Sequence, residues 1–109
     1  MRRCIAAWLL TLAALPVRAE GRDLKRFFAD RCAVCHGPDG TGRGPGGVRL
    51  GPQGFREIKG LEKLPDADLA RTIRQGAGAM PAFSFLLTDA EARRMVTEVI
   101  RPLAGHRRH

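Results

Sequence analysis

Tyrosine is absent from this chain, tryptophan occurs once, and aromatic residues make up 6% of its 109 residues. So little bulk leaves a chain of this length short of material for a core, and a disulfide, a metal or a cofactor is expected to complete the interior. Cysteine is also scarce, with three in all, which excludes a disulfide-dense scaffold. Acidic residues are few: 11 Asp and Glu stand against 19 Lys and Arg, giving a formal net charge of +8. There is no catalytic triad, no carboxylate pair, and no glycine-rich run ending in the Lys-Ser/Thr of a phosphate-binding loop. No segment has convincing strand alternation. What the chain does hold is one domain's length, 13 glycines and 7 prolines, so a small, turn-rich protein is expected.

Arg2 and Arg3 open the chain, and residues 4–17 then carry no charge. This pattern, closed by Val17-Arg18-Ala19, reads as an export signal with cleavage after Ala19, leaving a domain over 20–109 with a basic tail from about 105. The uncharged stretch is interrupted by Pro16 and falls short of the roughly 20 residues that span a bilayer, so no stable membrane insertion is expected. Losing Arg2, Arg3 and Arg18 lowers the formal charge by three, from +8 to +5. Cys4 and Trp8 leave with the signal.

Cys32 and Cys35 remain, too close together to close a useful disulfide loop. They stand in Cys32-Ala33-Val34-Cys35-His36, a C-x-x-C-H sequence that attaches a c-type haem. The spacing suits the chemistry: two thiols three positions apart can each add to a haem vinyl group, and the adjacent imidazole is presented to the iron. A thioredoxin-like thiol pair would want a βαβ context, and a zinc site a second pair of ligands. The sequence shows neither, since the other histidines, His106 and His109, lie in the basic tail.

A second axial ligand could come from Met80, Met95, His106 or His109. Met80 lies in Gly76-Ala77-Gly78-Ala79-Met80-Pro81-Ala82-Phe83, where glycine and proline prevent a regular helix and leave a loop able to lay a thioether on the iron. Met95 falls in the helically spaced apolar set Ala92, Met95, Val96, Val99 and Leu103 and is expected in the core. His36 and Met80 are therefore the expected axial ligands.

The pairing of Cys32-Ala33-Val34-Cys35-His36-Gly37 with Met80-Pro81-Ala82-Phe83 resembles the class I cytochromes c, in particular the short bacterial and photosynthetic monohaem carriers. The glycine-rich 38–45 and the helix start at Leu87-Thr88-Asp89-Ala90-Glu91 are similar to that family's, and the resemblance spans about 22–104. It implies an all-α cytochrome c fold, three to four helices wrapped around one covalently bound haem c, with the first and last helices crossing near Phe28 and Val99. It also implies a proline carbonyl accepting the proton of the proximal histidine, with Pro45 and Pro52 both candidates. The family often carries an aromatic residue in its last helix, and residues 95–100 hold none.

Periodicity gives the same helices. Leu24, Phe27, Phe28 and Cys32 form an apolar stripe leading into the attachment motif. A second helix is expected from Pro65-Asp66, with Leu69 and Ile73 facing inward, to Gly76, its Asp66 and Asp68 suiting the positive end. A third begins in a capping box of Thr88 and Glu91 and is expected to stop at about Arg101, before Pro102. The segment 42–60 is expected to be a long loop wrapping one haem edge.

With both axial positions filled, one-electron exchange is the chemistry left. The expectation is a monomeric periplasmic electron carrier rather than an enzyme, passing electrons between redox partner proteins. Arg31, Arg43, Arg49, Lys59 and Lys63 could steer it to acidic docking surfaces. Nucleic acid is disfavoured by export and by the lack of a binding motif. Two alternatives stay open: a cytochrome subunit of a periplasmic dehydrogenase complex, and a haem sensor or peroxidase-like protein with a labile methionine ligand.

Overall fold

The computed structural model describes residues 21–105; the segment 1–19 expected to be an export signal and the histidines His106 and His109 lie outside the described residues. The fold is all-α. Three helices are joined by turn-rich loops, and among the described residues the only extended pairings are two isolated bridges, Arg43 with Arg49 and Ala77 with Met80.

Helix α1 is continuous through Leu24–Phe27, Phe28–Cys32 and Ala33–His36. Asp23 caps it by accepting the Arg26 amide at 3.1 Å, the standard use of a short carboxylate at an N-cap. Leu24 and Phe28 are buried, as the stripe predicts. The middle segment is a π-type turn in which the Ala33 amide reaches back to the Phe28 carbonyl. Such a turn takes in one extra residue and rotates the helix beyond it, so it changes the direction in which 33–36 are presented. The helix ends at Gly37, whose φ is +80° and where a Cβ would lie 2.7 Å from the Arg43 carbonyl oxygen. Only glycine fits there.

Helix α2 spans Asp66–Gln75, with Asp66 and Asp68 in its first turn, where acidic groups complement the helix dipole. Ala70 and Ile73 are buried. Leu69, expected to face inward, is half-buried and packs against the edge of the core.

Helix α3 runs through Asp89–Met95, Val96–Ile100 and Arg101–Leu103. Its capping box is complete: the Glu91 amide donates to Thr88 Oγ1 at 3.1 Å, and the Thr88 amide donates to Glu91 Oε1 at 3.0 Å. These bonds hold the Glu91 carboxyl below its usual pKa. Pro102 does not end the helix as expected. A second π-type turn precedes it, with the Arg101 amide bonded to the Val96 carbonyl; the ladder is already opened where the proline ring needs room and supplies no donor.

Ala92, Met95, Val96 and Val99 of α3 form one core with Leu24 and Phe28 of α1. Phe28 and Val99 line the same groove between these helices. The bulk that α3 lacks comes from elsewhere: the Phe28 ring packs on Phe55 at 6.2 Å and Phe27 meets Phe83 edge-on at 5.9 Å. Among the described residues no helix is long and apolar enough to cross a membrane.

Arg101, buried on α3, ties the helix to the start of α2. Its Nη1 donates to the Leu61 carbonyl at 3.0 Å, its Nη2 to the Leu64 carbonyl, and both Nε (3.0 Å) and Nη2 (2.8 Å) to Asp66 Oδ1. Truncation leaves the Leu61 and Leu64 carbonyls without this donor and the half-buried Asp66 carboxylate without its cation. The expected outcome for Arg101→Ala is a loss of about 3 kcal/mol, read from guanidinium denaturation of the haem-loaded protein followed by circular dichroism.

Candidate functional site

A cavity of about 470 Å³ opens between the last turn of α1 and the loops 50–52 and 77–83. Its walls bring together all four residues singled out from the sequence. Cys32, Cys35 and His36 line it from α1, and Met80 lines it from the loop after α2. The remaining wall is mainly apolar, with Leu50, Pro52, Ala77, Ala79, Pro81 and Phe83, and Arg31 is its one charged residue.

His36 sits in the final turn of α1, before Gly37 breaks the helix. Its ring stacks on Phe55 with centroids 5.0 Å apart and planes at 26°. Burial pushes the imidazole pKa below its ordinary value, so the ring is neutral at neutral pH and carries a free lone pair. Nδ1 is buried with no hydrogen-bond partner among the described residues. Neither proline carbonyl accepts from it. Pro52 lies at the cavity wall, whereas Pro45 begins the exposed turn Pro45–Gly47.

The two thiols differ. Cys35 is exposed, and Cys32 is half-buried with its pKa pushed up to about 11 by burial. They are not joined to each other in a disulfide.

Met80 is presented by a closed turn: its amide donates to the Ala77 carbonyl at 2.9 Å, and the Ala77 amide donates back to the Met80 carbonyl at 3.1 Å. The turn departs from α2 at Gly76, whose φ is +78° and where a Cβ would meet the Met80 carbonyl oxygen at 2.7 Å. Beyond it, the Phe83 and Ser84 amides donate to the Ile73 and Arg74 carbonyls, each at 3.1 Å. The methionine loop is thus laced to the end of α2 on both sides. Phe55, stacked on His36, was not indicated by the sequence; it lies in no periodic pattern, and only its aromatic character among glycines marks it.

Residues 19–97 match the family model described as cytochrome c oxidase, cbb3-type, subunit III. The chain belongs to this family of c-type cytochromes. No curated protein matches it in sequence. Among solved structures it is similar to the KustC0563 c-type cytochrome, with TM-score 0.55 and 21% identity over 80% of this chain and all of that one. It is also similar to a point mutant of the same protein, with TM-score 0.52 and 23% identity over 79% of this chain and all of that one. These likenesses show the cytochrome c fold. As a c-type cytochrome the protein binds haem c covalently and transfers electrons. The residues present fit that group: two thiols and a neutral imidazole stand on one wall, with a thioether in another, around a mainly apolar space.

The Gly76 geometry gives a direct check on how the cytochrome holds its methionine turn. Gly76→Ala places a Cβ against the Met80 backbone in a left-handed conformation, and the expected loss is on the order of 2 kcal/mol in chemical denaturation of the haem-loaded protein. Unchanged stability would mean that the turn is not fixed at this point.

Proposed function

We propose that the protein is a periplasmic one-electron carrier that holds a single haem c through Cys32 and Cys35, with His36 and Met80 as axial ligands. The observation that carries this reading is the meeting of these four side chains at one apolar cavity. When bound, the haem supplies a one-electron couple between ferrous and ferric iron. The chain's own residues set the conditions. Cys32 and Cys35 tether the group, and His36, neutral and pressed on Phe55, offers its lone pair. Met80 brings a soft thioether, which favours the reduced state. Leu50, Pro52, Pro81 and Phe83 exclude water and disfavour added positive charge, raising the potential further. With both axial positions held by side chains, no position is left for a substrate, so the role is transfer and not catalysis. Residues 1–19 fit an export signal removed on the way to the periplasm, where such a carrier works as a monomer.

Partners of a basic carrier are acidic surfaces. Arg31 lines the cavity, and Arg43 and Arg49 pair through their backbones beside the lining residue Leu50. None of these three guanidinium groups has a carboxylate partner among the described residues. Lys59 and Lys63 are exposed but lie away from the cavity lining. The arginines therefore form the nearer part of the docking field.

A second reading, that the protein is a fixed subunit of a redox complex, is favoured by the name of its family, which points to an oxidase and not to a dehydrogenase. Copurification at a constant ratio with oxidase subunits supports that reading; recovery of the cytochrome alone supports the free carrier. The sensor or peroxidase alternative requires Met80 to leave, against the hydrogen bonds that close its turn.

Carbon monoxide separates the ligation states. The native protein is expected to be low-spin, to show the weak charge-transfer band of methionine ligation and not to bind carbon monoxide when reduced. Met80→Ala is expected to lose the band, bind the gas and have a lower potential. A high-spin native protein that takes up carbon monoxide readily would overturn His36/Met80 ligation.

A further inference from the structure

Phe85 is 98% exposed, an unusual position for an aromatic ring in a chain with so few. Its exposure is not that of a loose loop. The amides of Leu86 and Leu87 both donate to the Phe83 carbonyl at 2.9 Å, and the Ser84 amide donates to the Arg74 carbonyl at 3.1 Å. Phe83 and Leu87, on either side, are buried. The backbone of the turn is closed and anchored at both ends, so the point from which the ring projects into solvent is fixed and little backbone freedom is left to lose on binding. Leu86 beside it is 39% exposed.

Two guanidinium groups flank this knob. Arg22 donates to the Leu86 carbonyl and pairs with Glu91 at 3.0 Å. Arg74 Nε donates to the Leu87 carbonyl at 3.2 Å, and Arg74 has no carboxylate partner among the described residues. The knob also adjoins the redox site, since Phe83, two residues earlier, lines the cavity with Met80.

We infer that Phe85 is the anchor on which a redox-partner protein docks, its ring entering an apolar socket whose rim carries a carboxylate facing Arg74. The inference rests on the electron-carrier reading above. The size of the patch selects this occupant. A lasting dimer buries about 800 Å² on each copy, whereas one phenylalanine buries at most about 250 Å², with Leu86 adding a part of its own surface. A bilayer is held by a broad apolar helix face, and this is a single ring on a tight turn. A small aromatic centre with unneutralised charge beside it suits a short-lived protein encounter. In that encounter one electron leaves the cytochrome, which is oxidised by one unit, and enters the partner's protein-bound one-electron acceptor, which is reduced by one; no bond or proton is exchanged.

The test is oxidation of the full-length, haem-loaded, ferrous protein by washed membrane vesicles from the producing cells, in stopped flow. Phe85→Ser is expected to lower the bimolecular rate at least about tenfold, Phe85→Trp to keep most of it, and Arg74→Gln to lower it about threefold at low salt only. Ferricyanide, a small oxidant that needs no socket, is expected to oxidise the wild type and the two Phe85 variants at equal rates. Equal rates of the wild type and Phe85→Ser with the membranes overturn the docking surface and leave the carrier reading standing. A wild type that the membranes do not oxidise contradicts the carrier reading, and the docking surface with it. Phe85-dependent binding to phosphatidylglycerol vesicles, or a Phe85-dependent dimer in sedimentation, would assign the surface to lipid or to a second copy and overturn it as a partner site.

Discussion

The His36 imidazole has to stand at the wall of the same mainly apolar cavity as two thiols and a thioether. The rest of the molecule is arranged around that point. Phe55 stacks on the ring, α1 delivers it beside Cys32 and Cys35, and the Met80 turn brings a thioether to another wall. The chain has too little aromatic bulk to close this space itself, and its membership of a family of c-type cytochromes says what closes it. The same group thus completes the core and supplies the redox couple, so stability and function depend on one cavity.

Three segments distant in sequence have to meet there, and each is fixed by a different device. In α1 a π-type turn alters the direction of the attachment motif, and Gly37 ends the helix where a side chain would strike the Arg43 backbone. The Met80 turn hangs from the end of α2 through Gly76 and two backbone bonds. Helix α3 does not touch the cavity; it holds α1 and α2 in place, through Met95, Val96 and Val99 in the core and through the Arg101 clamp on Asp66 and the 61–64 backbone.

Much of this was legible in the sequence because it is local. The C-x-x-C-H spacing, the Thr88–Glu91 capping box, the stop of α2 at Gly76 and the apolar stripe through Leu24 and Phe28 each depend on residues within a few positions of one another. What was not legible is long-range or cooperative. Nothing near Arg101 announces a partner 35 residues earlier, and nothing in a glycine-rich loop shows that Phe55 faces a histidine 19 residues before it. The rule by which Pro102 should end α3 assumes a regular ladder; the π-type turn ahead of it removes the conflict.

Exposed residues carry the remaining meaning. The unpaired arginines near the cavity and the exposed Phe85 ring lie on the outside of a protein whose interior is reserved for its cofactor. The central claim is that Cys32 and Cys35 hold one haem in that interior, and intact-protein mass spectrometry under denaturing conditions, after treatment with an alkylating reagent, tests it most directly. The account predicts a mass equal to the chain plus one haem, with neither Cys32 nor Cys35 alkylated. A mass of the chain alone, with both cysteines alkylated, would contradict it.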